Sequence, residues 1–168
     1  KSNKQGNDSS NSSVKQIGQT NSLSVFAGEY KQVDTADGQE FEGAAHINIT
    51  TAQKNLKITQ SAQGEPASTI FKETVDGKSN EEKFTVSSSG LGGLPSQTTK
   101  RIVTKVVQVG NIVVKLTSMY SRPFGQVWKE WRLYKKITSK IVLDGDNLTY
   151  EINSSDDKLK TYRYIRVK

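Results

Sequence analysis

The chain has 168 residues, 33% of them hydrophobic, a formal net charge of +7, one histidine and no cysteine. That length suits one domain, and no run approaches the roughly 18 apolar residues of a membrane-crossing helix. Without cysteine there is no disulfide framework, thiolate metal site or Cys nucleophile, and one histidine cannot build a multi-His metal centre.

Residues 1–22 are almost entirely Lys, Ser, Asn, Gln, Gly and Thr, with only Val14 and Ile17 to bury. Such a composition does not offset its ordering entropy, so it reads as a flexible polar tether ahead of a β domain over 23–168. From Leu23 onward, β-branched and aromatic runs alternate with turn chemistry: Thr35-Ala36-Asp37-Gly38, Asp76-Gly77-Lys78-Ser79, Gly110-Asn111, Pro123-Phe124-Gly125 and Asp144-Gly145-Asp146-Asn147. This punctuation predicts strands over 23–33, 41–51, 54–61, 67–75, 81–88, 98–109, 112–120, 127–143, 147–153 and 159–167. The fold class is therefore all-β, an antiparallel up-and-down meander of about 8–10 strands. A lipocalin-like barrel and a β-sandwich both satisfy the alternation, and the barrel is the leading expectation.

The Gly110-Asn111 link suits a two-residue primed turn, which pairs Val109 with Ile112, Val107 with Val114, Lys105 with Leu116 and Val103 with Ser118. The face carrying Val103, Val107, Val109, Ile112, Val114 and Leu116 is the richer in apolar residues and is expected to point inward. In the next strand the odd positions, Trp131, Leu133, Ile137, Ile141 and Leu143, are expected inside, joined by Leu148, Tyr150 and Ile152. Seventeen residues is long for one strand, so a bulge is expected within 134–140. The even positions put Trp128, Arg132, Tyr134 and Lys136 on an outer aromatic–basic stripe.

Catalytic chemistry finds little support. His46 lies on the polar face of an alternating strand, no nucleophile motif accompanies it, and no spaced carboxylate pair occupies an inner face. Asp144-Gly145-Asp146 lacks the spaced oxygen ligands of a calcium loop, and the Gly90 to Gly93 loop lacks the Gly-Lys-Ser/Thr of a phosphate cradle. That loop is instead a connection, or a lid carrying Leu91 and Leu94. No metal, no cofactor and no enzymatic activity are expected. Between Lys100 and Lys168, 15 basic side chains face 6 acidic ones, which favours an anionic ligand or surface. Single-stranded nucleic acid is disfavoured, because only one aromatic row is available for stacking.

Phe26-Ala27-Gly28-Glu29-Tyr30-Lys31 resembles the Gly-x-Trp opening of the lipocalin and fatty-acid-binding-protein (calycin) superfamily, with Tyr in place of Trp. Asp146-Asn147-Leu148-Thr149-Tyr150 with Tyr162-Arg163-Tyr164-Ile165-Arg166-Val167 is similar to the last hairpin of bacterial lipocalin-like lipoproteins. The family's Thr-Asp-Tyr motif is not found, and no C-terminal helix is visible. The resemblance implies that Gly28, Tyr30 and Arg166 (or else Arg163) close one barrel end. It also implies non-enzymatic binding of a small apolar or amphipathic ligand, anionic in one form of the reading. Lys105, Val107, Val114, Leu116, Trp131, Leu133 and Tyr150 would line that site, with Lys105 or Arg163 at a polar head group. The polar leader is similar to a lipoprotein spacer, implying an extracytoplasmic, periplasmic or outer-membrane-associated protein held at a membrane surface. The rival expectation is a protein- or surface-interaction module that uses Trp128, Arg132, Tyr134 and Lys136 and has no internal ligand.

Overall fold

The computed structural model describes residues 22–33, 45–62, 64–89 and 95–168. A four-residue 3-10 turn at Leu23–Phe26 replaces the expected start of the first strand and buries Leu23 and Phe26. Ten strands follow: β1 (Gly28–Val33), β2 (His46–Ala52), β3 (Asn55–Ser61), β4 (Ser68–Thr74), β5 (Ser79–Ser89), β6 (Pro95–Val109), β7 (Ile112–Pro123), β8 (Arg132–Asp144), β9 (Asn147–Ser154) and β10 (Lys160–Arg166). They form one antiparallel sheet in the order β4-β3-β2-β1-β10-β9-β8-β7-β6-β5. A single sheet excludes the two-layer sandwich.

The two edge strands, β4 and β5, are consecutive in the chain and are joined only by residues 75–78. Four residues reach at most about 14 Å, so the sheet must roll until its edges meet at that corner. The corner is fastened: the Val75 amide donates to the Lys54 carbonyl at 2.7 Å and the Gly77 amide to the Val106 carbonyl at 2.9 Å. Asp76 Oδ1 accepts from the Lys78 amide at 2.9 Å, an Asx turn. The result is a barrel open along the β4/β5 seam. Inside it, Phe26, Tyr30, Ile47, Ile49, Leu56, Ile58, Phe71, Val106, Val113, Ile141, Leu148 and Tyr164 belong to one buried cluster.

The registers expected at the tight turns are present. Val109 pairs with Ile112, Val107 with Val114, Lys105 with Leu116, and Val103 with Ser118. Asp144 pairs with Asn147. Both loops place Gly at the first central position with positive φ, 60° at Gly110 and 59° at Gly145. The β7/β8 ladder shifts where Met119 opposes Lys135 but Tyr120 opposes Leu133, so Tyr134 is an extra residue. That is the bulge expected in 134–140. Residues 127–131 are turn rather than strand. Residues 1–21 of the tether expected over 1–22, and residues 90–94 of the loop expected as a connection or a lid, lie outside the described residues.

One expectation is inverted. In β6 and β7 the inward residues are Val106 (3% exposed) and Val113 (fully buried), while Val109 is 70% exposed and Leu116 45%. The pairing through Gly110-Asn111 is right and the face is wrong. Val113 lies opposite Ile141, which lies opposite Tyr150, and residues directly opposite share a face. Because Ile141 and Tyr150 point inward, Val113 and its β6 neighbours on that face must do so too.

The first and last strands meet, Tyr30 opposite Arg166. The fully buried Tyr30 donates its hydroxyl to the Phe26 carbonyl at 2.9 Å and accepts from Arg166 Nη2 at 2.6 Å. The same Nη2 donates to the Val25 carbonyl at 2.7 Å, and the guanidinium sits 5.2 Å from the Tyr30 ring centroid. Gly28 adopts φ 148°, a backbone conformation that favours glycine, and lies against the contact: a Cβ there would sit at ordinary packing distance, 3.7 Å, from both Arg166 Nε and the Tyr30 ring. Gly28, Tyr30 and Arg166 therefore form one contact at one end of the barrel. Tyr30→Phe removes both hydroxyl bonds and leaves the Phe26 carbonyl unsatisfied. Urea unfolding of this variant is expected to show a loss of about 1–3 kcal/mol. A change below about 0.5 kcal/mol would mean that the hydroxyl holds nothing.

Candidate functional site

The inner faces of β3, β4, β9 and β10 flank a half-open cavity of about 270 Å³ lined by Gln60, Ile70, Tyr150, Ile152, Tyr162 and Tyr164. Local irregularity builds one wall. The β3/β4 register slips between Ile58 and Thr59, which makes Ile70 the extra residue next to the buried Phe71. The opposite wall is regular: Tyr150 and Tyr162 are directly paired, and their rings lie 6.3 Å apart at 34°. Tyr164, two residues on, faces the same way and is 2% exposed.

Burial pushes the Tyr164 phenol up to about 12, and the neighbouring Tyr162 and Tyr150 phenols add to the shift. Burial also raises Tyr150, partly offset by a hydrogen bond with Ser139. Near neutral pH these two phenols are protonated and uncharged. The cavity therefore offers apolar walls tipped with hydroxyl donors and one amide side chain.

A second concavity of about 430 Å³ lies beside the seam, lined by Glu73, Asn80, Glu81, Glu82, Ile102, Thr104, Lys115 and Thr117. Here Lys115 of β7 forms an ion pair with Glu73 of β4, and its ammonium is 5.5 Å from the Phe71 ring centroid. Glu81 is held below the usual carboxylate range by hydrogen bonds from Lys83 and Arg101. This hollow is charged and its inward cation is already paired, so it is less suited to an apolar guest. Among the described residues no cluster of His, Asp and Glu could hold a metal ion.

Of the residues expected to bind ligand, Tyr150 lines the cavity. Val107, Val114, Leu116 and Lys105 stand on the outer face, one position off the inward row of Val106 and Val113. Trp131 and Leu133 are also outside. The Trp131 ring lies 4.2 Å from the Arg122 guanidinium and 5.8 Å from that of Arg101, and Leu133 is partnered by Tyr120. Arg163 is exposed, between the inward Tyr162 and Tyr164.

The expected outer stripe is also rearranged. Arg132 opposes Ser121, which opposes Lys100, two residues from the inward Ile102, so Arg132 shares the inner face. The bulge carries Tyr134 there too, with the Lys100 ammonium 4.2 Å from its ring centroid. Lys136 is outside, opposite Ser118, and Trp128 stands in the β7–β8 loop. The aromatic–basic cluster that does exist outside joins Arg101, Tyr120, Arg122 and Trp131. The Gly110 register already sets Arg101 opposite Tyr120. Tyr162 and Tyr164 were legible as aromatics alternating around Arg163, whereas Ile70 depends on a bulge that no turn residue marks.

The raised Tyr164 pKa has a sign. The folded state holds the phenol proton more tightly than the unfolded chain, so the stabilisation is complete below about pH 10 and is lost as pH rises toward 12. Spectrophotometric titration at alkaline pH, run alongside unfolding, is expected to show late ionisation coupled to falling stability. Tyr164→Phe should remove one late step and flatten that fall. An unaltered profile would place the late step elsewhere.

No protein-family model matches the chain, and no curated protein does. Among solved structures, a variant of the REP1-NXSQ fatty acid transporter aligns over 86% of this chain and 99% of its own, at 12% identity and a TM-score of 0.44. An abundant heat soluble (SAHS) protein from Ramazzottius varieornatus aligns over 84% of this chain and 95% of its own, at 10% identity and a TM-score of 0.44. Strand order and register define the architecture: an all-β, ten-stranded antiparallel meander rolled into a seam-open barrel.

Proposed function

We propose that this protein reversibly binds a small apolar or amphipathic molecule in the cavity between β3–β4 and β9–β10, without making or breaking bonds. The observation that supports this reading is the cavity lining: Ile70, Ile152 and three tyrosine rings form the walls, and only hydroxyls and Gln60 supply polarity. Apolar walls with a few convergent polar groups are the usual make-up of ligand pockets. At about 270 Å³ the space falls just below the roughly 300–1,000 Å³ range of drug-sized sites, so it suits one ring system or a short chain. Neutral phenols favour a hydroxyl, ester or carboxyl terminus as the polar end. In this reading the protein works outside the cytoplasm on a lipid-anchored tether, supported by the Ser/Asn-rich composition of residues 1–22.

Titration with a fluorescent fatty-acid analogue and native mass spectrometry of the purified chain test the proposal together. Saturable one-to-one binding is expected. Ile152→Trp, which fills the cavity, should weaken binding at least about tenfold while the urea midpoint stays close to that of the parent. If neither method detects a bound molecule, or Ile152→Trp binds as well as the parent, the cavity is not a ligand site.

A further inference from the structure

The β7–β8 connection presents three large apolar side chains to solvent: Phe124 is 53% exposed, Val127 70% and Trp128 75%. Large exposed apolar groups gathered on one loop call for a partner. This loop lies far from the core. Pro123 is ten residues along β7 from the buried Val113, roughly 33 Å of extended strand.

The loop is also held in shape. The Phe124 amide donates to the Gln97 carbonyl at 3.1 Å, the Gln126 amide to Pro123 at 3.3 Å and the Lys129 amide to Gln126 at 3.0 Å. Arg122 Nη1 donates to the Val127 carbonyl at 3.2 Å while its guanidinium stacks on Trp131. The apolar side chains are thus displayed on a braced loop, which lowers the ordering cost of docking.

Charge indicates what they dock on. Residues 122–132 carry three basic side chains and one acidic one, within a C-terminal segment that is strongly basic as a whole. Behind the loop, a groove of about 540 Å³ sets the hydroxyl-bearing Ser96, Thr98 and Ser121 beside Arg122, Lys129 and Arg132, with Glu130 the one carboxylate against these three cations. Tryptophan settles at the headgroup level of a bilayer, and cations just behind it meet lipid phosphates. We infer that the β7–β8 loop is a docking element for an anionic lipid bilayer, inserting Phe124, Val127 and Trp128 at the interface with Lys129 and Arg132 on the phosphates. The inference does not rest on the cavity holding a ligand.

The full chain carrying Trp131→Phe leaves Trp128 as its only tryptophan and keeps an aromatic ring under Arg122. Its emission is expected to shift to the blue with phosphatidylglycerol vesicles, to be quenched by brominated acyl chains, and to stay unchanged with phosphatidylcholine. Co-sedimentation of the parent should fall about fivefold for each of Lys129→Gln and Arg132→Gln, and should weaken as salt rises. Trp128→Ala should reduce it at least about tenfold while the urea midpoint and the binding of the fatty-acid analogue stay unchanged. Ile152→Trp should keep vesicle binding, which separates this surface from the cavity. Equal binding to neutral vesicles would overturn the inference. So would a Trp128 spectrum that responds to inorganic phosphate alone, or full vesicle binding by Trp128→Ala.

Discussion

The Arg166 guanidinium ties the end of the chain to its beginning, and the inner surface depends on that contact. One nitrogen serves both the Val25 carbonyl and the Tyr30 hydroxyl, and Tyr30 in turn holds the Phe26 carbonyl. The knot fastens the β1/β10 ladder to the 3-10 turn. With β1 and β10 central in the sheet and β4 and β5 at its margins, strain from rolling is relieved at the seam rather than at the chain ends. A cation at this depth is tolerable because two oxygens and an aromatic face replace much of its water. Its buried Nε has no hydrogen-bond partner and faces Gly28, which has no side chain.

The seam has its own compensation. Where a closed barrel would continue its backbone ladder, β4 is tied across the interior to β7 by the Glu73–Lys115 ion pair, and the β4–β5 link is tied to β6 by the Gly77 amide on Val106. A side-chain bridge gives less than a ladder and leaves β5 exposed along its whole length. Charges on that strand, Glu81, Glu82 and Lys83, oppose edge-to-edge association with another chain. Removing water from Lys115 without Glu73 would leave an unpaired cation against Phe71. The pair therefore matters as a condition for closing the seam more than as a source of net stability.

Much of the strand order was readable because turn chemistry is local. Gly110-Asn111 and Gly145-Asp146 each fix a register through one glycine with positive φ, and those registers hold pair by pair. Which face turns inward is not local. Counting apolar residues favoured Val107, Val109 and Leu116, yet the side is decided by the β7/β8 ladder, where Val113 meets Ile141. The eight residues between β7 and β8 form successive turns, closed by the Gln126 and Lys129 amides, rather than a two-residue hairpin loop that would fix that register. The bulges at Ile70 and Tyr134 erase the simple alternation beyond them. The cavity was consequently legible on its regular wall, at Tyr150, and invisible on its bulged one.

This inversion bears on function. Had Lys105 and Arg163 faced inward, the interior would have carried unpaired cations and called for an anionic guest. Instead Lys115, the inward cation beside the seam, is matched by Glu73, and the cavity polarity comes from phenols and Gln60. Much of the remaining positive charge gathers toward the far ends of β6–β8, with Arg101 and Arg122 packed on aromatic rings outside and Lys100 and Arg132 on the inner face. A cavity without charged lining residues and a basic loop region assign the two kinds of recognition to different surfaces. In the proposed reading an amphipathic guest is held by apolar contact and hydrogen bonds in one place, while long-range attraction to an anionic surface acts in another, at the β7–β8 end of the sheet. Because the two surfaces share no side chain, salt should weaken the second and leave the first nearly unchanged.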